Sequence, residues 1–349
     1  MLCSRPMASL FRTTSEEDLP AVRASLKQFF DMSDEMPFID PVHLHWKYYA
    51  PRSDWPGSRS YVMDRSGEFA AHGCAWPFRL LRNAVEIPGF HLIDWGADRS
   101  VSGAGVSLLR KMLKLADVVC SFSGSAETQE ILPAFGFEPA NTMQVFARPL
   151  RPLRQMLSHQ SRDYKLPART LRNLVWRYVP PIALPAGWRA EPSDAAHISA
   201  LFPTEVDDRL VCARSVDLFR YLAECKSATF RMFTMFNGSV AAGYFVLSEV
   251  PGQVRIVDIW STSQSLEAYT SAYMTATATA LQVSRAAELV AASAWPVAQQ
   301  AIQQAGFRLR ESTPVMVYSK SLGPKRIYDF QMVDSDAAFL RQIRPEYRT

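Results

Sequence analysis

Apolar and polar residues recur along the chain with two distinct periods, and the places where the period changes define its elements. Strict alternation or short apolar runs mark strands at Ser9–Thr14, Tyr61–Asp64, Ala70–Leu81, Val85–Trp95, Val118–Phe122 and Thr142–Ala147. Spacing of three and four predicts helices from Ser15, where Glu16, Glu17 and Asp18 sit in the first turn, over Pro41–Tyr49, over Val106–Leu115 and over Glu127–Phe135. Pro88-Gly89 is expected to interrupt the third long strand. The order β-α-α-β-β-β-α-β-α-β predicts an α/β fold with a mixed sheet and helices on its faces.

Residues 148–186 break the rhythm with six prolines and read as a connection carrying one helix near Ala168–Tyr178. The order then returns. Strands are predicted at Trp188–Ala190, Phe230–Phe236, Val240–Glu249, Val254–Trp260, Leu289–Ala294 and Val315–Ser319. Helices are predicted at Ser193–Leu201, Val216–Ala223, Leu266–Gln282 and Pro296–Gln304. Asn237-Gly238 is a strong hairpin signal. Ile93-Asp94-Trp95 matches Val257-Asp258-Ile259-Trp260, and Phe135-Gly136-Phe137 matches Ala305-Gly306-Phe307, in the same order. Two such matches point to a duplicated unit. The expected layout is a domain over 8–150, a linker over 151–186, a second domain over 187–325 and an extension over 326–349.

Composition narrows the function. Apolar residues make up 48% of 349 and charged residues 21%, the profile of a globular chain of two domains. No uninterrupted apolar run reaches bilayer length, and the N-terminus lacks a signal peptide's apolar stretch, with Met7 a possible start. Five widely spaced cysteines without a C-x-x-C pair predict a reduced, cytoplasmic setting and no metal. A net charge of +4 argues against nucleic-acid binding. The charge is local: Arg148–Arg177 holds eight Lys or Arg against Asp163, so this stretch contributes +7. It reads as a solvated linker face, a dock for an anionic glycan or lipid surface, or a groove for acidic phosphates. Leu171, Leu174, Val175 and Tyr178 interleave with Arg172 and Arg177 as in a helix lying on a membrane surface, so peripheral membrane contact is one expectation.

Ser102-Gly103-Ala104-Gly105-Val106-Ser107 follows a strand and opens a helix, as a phosphate-cradling loop must, because unpaired N–H groups and the helix dipole favour an anion there. Each half of the chain resembles a GNAT acyl-CoA N-acyltransferase domain, in which this loop has the form Arg/Gln-x-x-Gly-x-Gly/Ala. Ser102 stands at the Arg/Gln position and Ser107 at the last Gly/Ala position. The matching register of the second half holds Glu267 and no glycine, so coenzyme binding is expected in the first half alone. The glycine loop, Gly124-Ser125 through Phe137, and Ala147–Pro152 also resemble two-domain GNAT-like proteins found with bacterial exopolysaccharide genes. The resemblance implies acetyl-CoA or another acyl-CoA as co-substrate, a small-molecule or sugar acceptor, and a role in polysaccharide or envelope synthesis. It also implies Asp94 as base, with Asp98 and His91 behind it, and Ser125 as a hydrogen-bond donor to the coenzyme.

Plainer alternatives accompany each residue. Asp94 reads first as an anchor that hydrogen-bonds loop backbone, since Asp258 repeats it without the loop, and Ser125 serves equally as a helix cap. Leu132 occupies the position of the family's acidic tyrosine. His72 and Cys74 share a strand face and read as a satisfied histidine beside a buried thiol. Asp334-Ser335-Asp336 reads as a turn or cap. The alternative to an enzyme is a GNAT-like module that binds a ligand or partner in polysaccharide assembly.

Overall fold

The structure is a computed structural model, and it describes all residues except 1–9, 123, 159–163, 207, 323–325 and 344. Cys3, the Met7 start, Arg162 and Asp163 lie outside the described residues. In chain order the first elements are β1 (Leu10–Thr13), α1 (Leu19–Phe29), α2 (Pro41–Tyr48), β2 (Ser60–Arg65), β3 (Glu68–Arg82), β4 (Val85–Ala97), α3 (Ala104–Met112), β5 (Val118–Ser121), α4 (Ala126–Ile131) and β6 (Glu138–Pro149). Then come α5 (Pro152–Ser158), α6 (Leu166–Tyr178), β7 (Trp188–Ser193), α7 (Ala195–Ile198), β8 (Leu210–Cys212), α8 (Val216–Ala223), β9 (Thr229–Asn237) and β10 (Val240–Val250). The chain closes with β11 (Gln253–Ser261), α9 (Leu266–Val283), β12 (Glu288–Ser293), α10 (Pro296–Gln304), β13 (Arg308–Ser319) and β14 (Tyr328–Asp329).

The chain divides into two compact units. Unit 1 comprises Met1–Arg79, Ile87–Glu138 and Met316–Gly323. Its sheet runs β1-β2-β3-β4-β5 and ends on the last residues of β13. β1 to β3 are antiparallel, β4 and β5 are parallel, and Met316–Ser319 pairs antiparallel with Val118–Ser121. Unit 2 comprises Leu80–Glu86, Pro139–Val315 and Pro324–Thr349, with the strand order β7-β9-β10-β11-β12-β6. β11 and β12 are parallel, and β6 lies antiparallel to β12 with β13 next in the strand order. The strand that follows β5 thus comes from the second half of the sequence, and the strand that follows β12 comes from the first half.

α3 shows how local sequence sets the packing of unit 1. Its buried residues Ala104, Leu108, Leu109 and Met112 recur at helical spacing and join Phe90, Leu92 and Val119 in the core. Burying each leucine contributes about 2 kcal/mol. Gly73 on β3 has no side chain because a Cβ there would lie 2.8 Å from Met112 Sδ. In unit 2, α9 presents Tyr269, Ala272, Tyr273 and Ala276 to a core that includes Phe245, Ile256 and Leu289. The described cysteines, Cys74, Cys120, Cys212 and Cys225, are buried and form no disulfide among the described residues.

The Pro88-Gly89 interruption does not occur, and β4 runs unbroken through both residues. A Cβ on Gly89 would fall 2.4 Å from Phe78, so this glycine permits close approach between strands. Among the described residues no helix is long and apolar enough to cross a membrane.

Candidate functional site

In unit 1 the site begins where two parallel strands part. β4 and β5 pair at Gly89/Val118, Phe90/Val119 and His91/Cys120, and no further rung follows among the described residues. Phe90–Ile93 are buried, whereas Asp94–Asp98 are half-buried along the opened edge. Asp94 takes φ 52°, a left-handed value that aspartate tolerates better than most residues, and it turns the strand at the opening. Ligands of open α/β sheets bind in such crevices at the carboxyl ends of strands.

The strand runs into the glycine loop. Gly103, at φ 77°, caps α3 in a conformation that suits glycine. The first α-helical bond in α3 is from Ser107 N–H to Gly103 C=O, so the N–H groups of Gly105 and Val106 have no intrahelical acceptor. No acid sits in the first turn of α3, which leaves the positive end of its dipole uncompensated. Gly105 has a packing role: Trp95 Nε1–H donates to its carbonyl at 3.1 Å, and a Cβ would lie 3.2 Å from Ala97 Cβ. Ser102 and Ser107 are exposed and Val106 half-buried. Beside the strand end, a cleft of about 290 Å³ is lined by Gln28, Phe29, Asp31, Ala97, Asp98 and Arg99. Asp98 accepts from Ser100 N–H at 2.8 Å and from Gln28 Nε2 at 3.1 Å. These bonds, those of Ser100 foremost, hold its carboxyl below the usual range.

Asp94 is deeply partnered. Its Oδ2 lies 2.7 Å from Lys47 Nζ and accepts the Tyr48 hydroxyl at 2.7 Å. Lys47 is wholly buried, with Nζ 4.9 Å from the Phe38 ring centre. The backbone oxygen of Asp94 bonds His72 Nδ1 at 3.1 Å, and His72 Nε2 bonds Ser60 Oγ at 2.9 Å. Burial pushes the His72 pKa down to about 4, with the Lys47 charge acting in the same direction. The imidazole is thus neutral, and its nitrogens are engaged by Ser60 and the Asp94 carbonyl rather than by Cys74.

His91 sits on the last paired rung, stacked on Phe122 at 4.0 Å, and its Nε2 accepts the Phe122 N–H. Ser125 caps α4 by accepting from Thr128 N–H at 3.3 Å. The structure therefore groups Asp94 with His72, Lys47, Tyr48 and Ser60. Asp98 stands with the loop and cleft. Sequence reasoning missed Lys47; its one signal was a lysine within the otherwise apolar and aromatic run Leu44–Tyr49.

Unit 2 repeats the parting strands but fills the opening. β11 and β12 pair through Ile256/Ala291 and then separate. Beyond that rung, the Gln331 side chain accepts from Ile259 N–H at 2.8 Å and donates to Ile259 C=O at 2.9 Å. Phe330 C=O accepts from Ala294 N–H at 2.9 Å, and Ser293 bridges Gln331. Phe330 and Gln331 thus bond to both edges of the gap. Asp258 is fully buried, held by Arg214 at 2.8 Å and by the Tyr244 hydroxyl at 2.7 Å, while Arg214 also holds Asp334 at 2.8 Å. Ser335 caps Ala337, so Asp334-Ser335-Asp336 serves as an ion-pair partner and turn. Glu267 lies in the first turn of α9, after the Ser265 cap.

The mixed sheet, its parting parallel strands and a glycine-started helix at the opening make this an α/β protein. The chain has the GNAT fold. A GCN5-related N-acetyltransferase from Anabaena variabilis superposes with a TM-score of 0.56 at 14% identity, over 88% of this chain and 72% of that one. A GCN5-related N-acetyltransferase from Kribbella flavida gives 0.53 at 11% identity, over 90% and 72%. No family model and no curated protein matches the chain in sequence.

Proposed function

We propose that unit 1 binds an acyl-CoA, acetyl-CoA above all, and transfers its acyl group to an amine or hydroxyl acceptor. The observation that carries this reading is the start of α3. There, free N–H groups at Gly105 and Val106, small residues and an uncompensated dipole lie at the end of the opened strand. The residues fit the coenzyme: Ser102 to Ser107 would face its phosphates, and the backbone edge of Asp94–Ala97 would pair with the amides of its arm. When bound, the coenzyme supplies the activated thioester. Asp98 and Asp31, at the cleft beside this edge, suit an acceptor's amino group as counter-charges.

Asp94 acts here as a positioning residue. Its carboxylate oxygen already holds Lys47 and Tyr48, and Asp258 holds Arg214 and Tyr244 in the same way where the opening is filled. The role in polysaccharide or envelope synthesis, with an amino sugar as acceptor, rests on the sequence resemblance alone.

A thiol-release assay with acetyl-CoA and a panel of amines and amino sugars tests the reading. Release is expected, and the Lys47→Met/Asp94→Asn double variant is expected to retain it within a few-fold. Loss of a general base would cost about a hundredfold or more. The second reading is a ligand- or partner-binding module without turnover. It is favoured by Leu132, which is buried where the family's acidic tyrosine would stand. Coenzyme binding without thiol release from any acceptor would establish it.

A further inference from the structure

The two helices of residues 151–178 are turned the wrong way round for a surface in contact with water alone. α6 buries Thr170, Asn173 and Trp176 against unit 2. It exposes Leu171 at 66%, Val175 at 60% and Tyr178 at 61%, spaced on one face. α5 repeats the inversion: Gln155 is buried, while Leu153 and Leu157 are 57% and 74% exposed. The buried polar groups have partners, since Asn173 Nδ2 donates to Gln155 Oε1 at 3.0 Å and Gln155 Nε2 to Thr349 Oγ1 at 2.7 Å. The inner face therefore carries a specified polar network beside Trp176, while Leu153, Leu157, Leu171, Val175 and Tyr178 are left outward. A contiguous outward apolar face marks an interaction surface.

Charge selects the partner. Apart from Asp163, residues 148–186 contain no acid, and α6 itself carries Arg169, Arg172 and Arg177. Arg308 and Arg310 stack on Trp176 beneath it. Arg154, next to the exposed Leu153, also lines a cleft of about 490 Å³ with Lys226, Arg231, Arg285 and Arg341. Of these five, only Arg231 has an ion pair among the described residues, with Glu249. Burial, and then the charges of Arg177 and Arg154, push the Arg151 guanidinium below its usual value, a sign of like charges crowded together.

We infer that α5 and α6 form a peripheral docking surface for an anionic lipid bilayer. Leu153, Leu157, Leu171, Val175 and Tyr178 enter the headgroup boundary, and the surrounding arginines meet the phosphates. Because no described helix can span a bilayer, the contact is one of lying on the surface.

Vesicle flotation of the full chain tests this without reference to any acyl transfer. The probes are phosphatidylcholine vesicles and an equimolar mixture of phosphatidylcholine and phosphatidylglycerol. Binding is expected to the mixed vesicles only, and to weaken as salt is raised. Leu171→Asp/Val175→Asp should lower it about tenfold or more, with unchanged thermal unfolding because both sites are exposed. Arg172→Gln and Arg177→Gln should each lower it roughly fivefold. Failure to float with the mixed vesicles, equal flotation with neutral ones, or indifference to the paired aspartates would overturn the inference. So would self-association in sedimentation that the paired aspartates abolish, because a second copy would then own the surface.

Discussion

Lys47 and Arg214 show what single residues decide in this chain. Each places a buried cation against an aspartate near the end of a parting strand, Asp94 in one case and Asp258 in the other. The aspartates stood out in the sequence because each lies in an apolar strand beside a tryptophan. Their partners did not, because a cation distant in sequence gives no local sign of burial. His72 supplies a pH signature for this region. Its folded pKa of about 4 lies below the ordinary 6.5, so the unfolded chain takes up the proton first as pH falls. The resulting stability is complete above pH 6.5 and is lost progressively as pH falls to about 4, amounting to about 3 kcal/mol. Urea unfolding across that range should show the loss, and His72→Gln should flatten it. The Asp18 carboxyl, which Arg12 pulls down to about 2, adds its own loss only below this window. An identical acid slope in His72→Gln would show that this imidazole is not the group responsible.

Among the elements, those with a clear period were legible. The helices at Pro41 and Val216 and the hairpin at Asn237-Gly238 fall where the pattern puts them. β8 and β14, of three and two residues, are too short to carry a period and were not foreseen. The segment Tyr328–Gln331 is a further case. Nothing in its composition announces that it enters the gap between β11 and β12, because that position is set by partners some 70 and 40 residues away in sequence. Its contribution is measurable. Gln331→Ala leaves the N–H and C=O of Ile259 buried without partners, which should cost about 2–4 kcal/mol in chemical unfolding. A change below about 0.5 kcal/mol would mean that water replaces the side chain and that the gap is wet.

For the whole molecule, the mixed α/β fold was legible from the order of strands and helices, and the structural neighbours share it. The exchange of β6 and β13 was not legible, since periodicity identifies a strand but not the sheet it joins. The candidate site was legible in part. The loop Ser102–Ser107 was found from its place between strand and helix, whereas the role of Gly105 in packing against Trp95 and Ala97 needed coordinates. The two openings are unequal in a way that fixes a stoichiometry: one lies beside a helix start with no acid in its first turn, and the other is filled by the chain itself. Titration calorimetry with acetyl-CoA measures this directly. One molecule is expected to bind per chain, with affinity reduced about tenfold or more by Ser102→Asp/Ser107→Glu, which sets acids against the phosphates. Two molecules per chain, no binding at millimolar coenzyme, or indifference to those acids would contradict it.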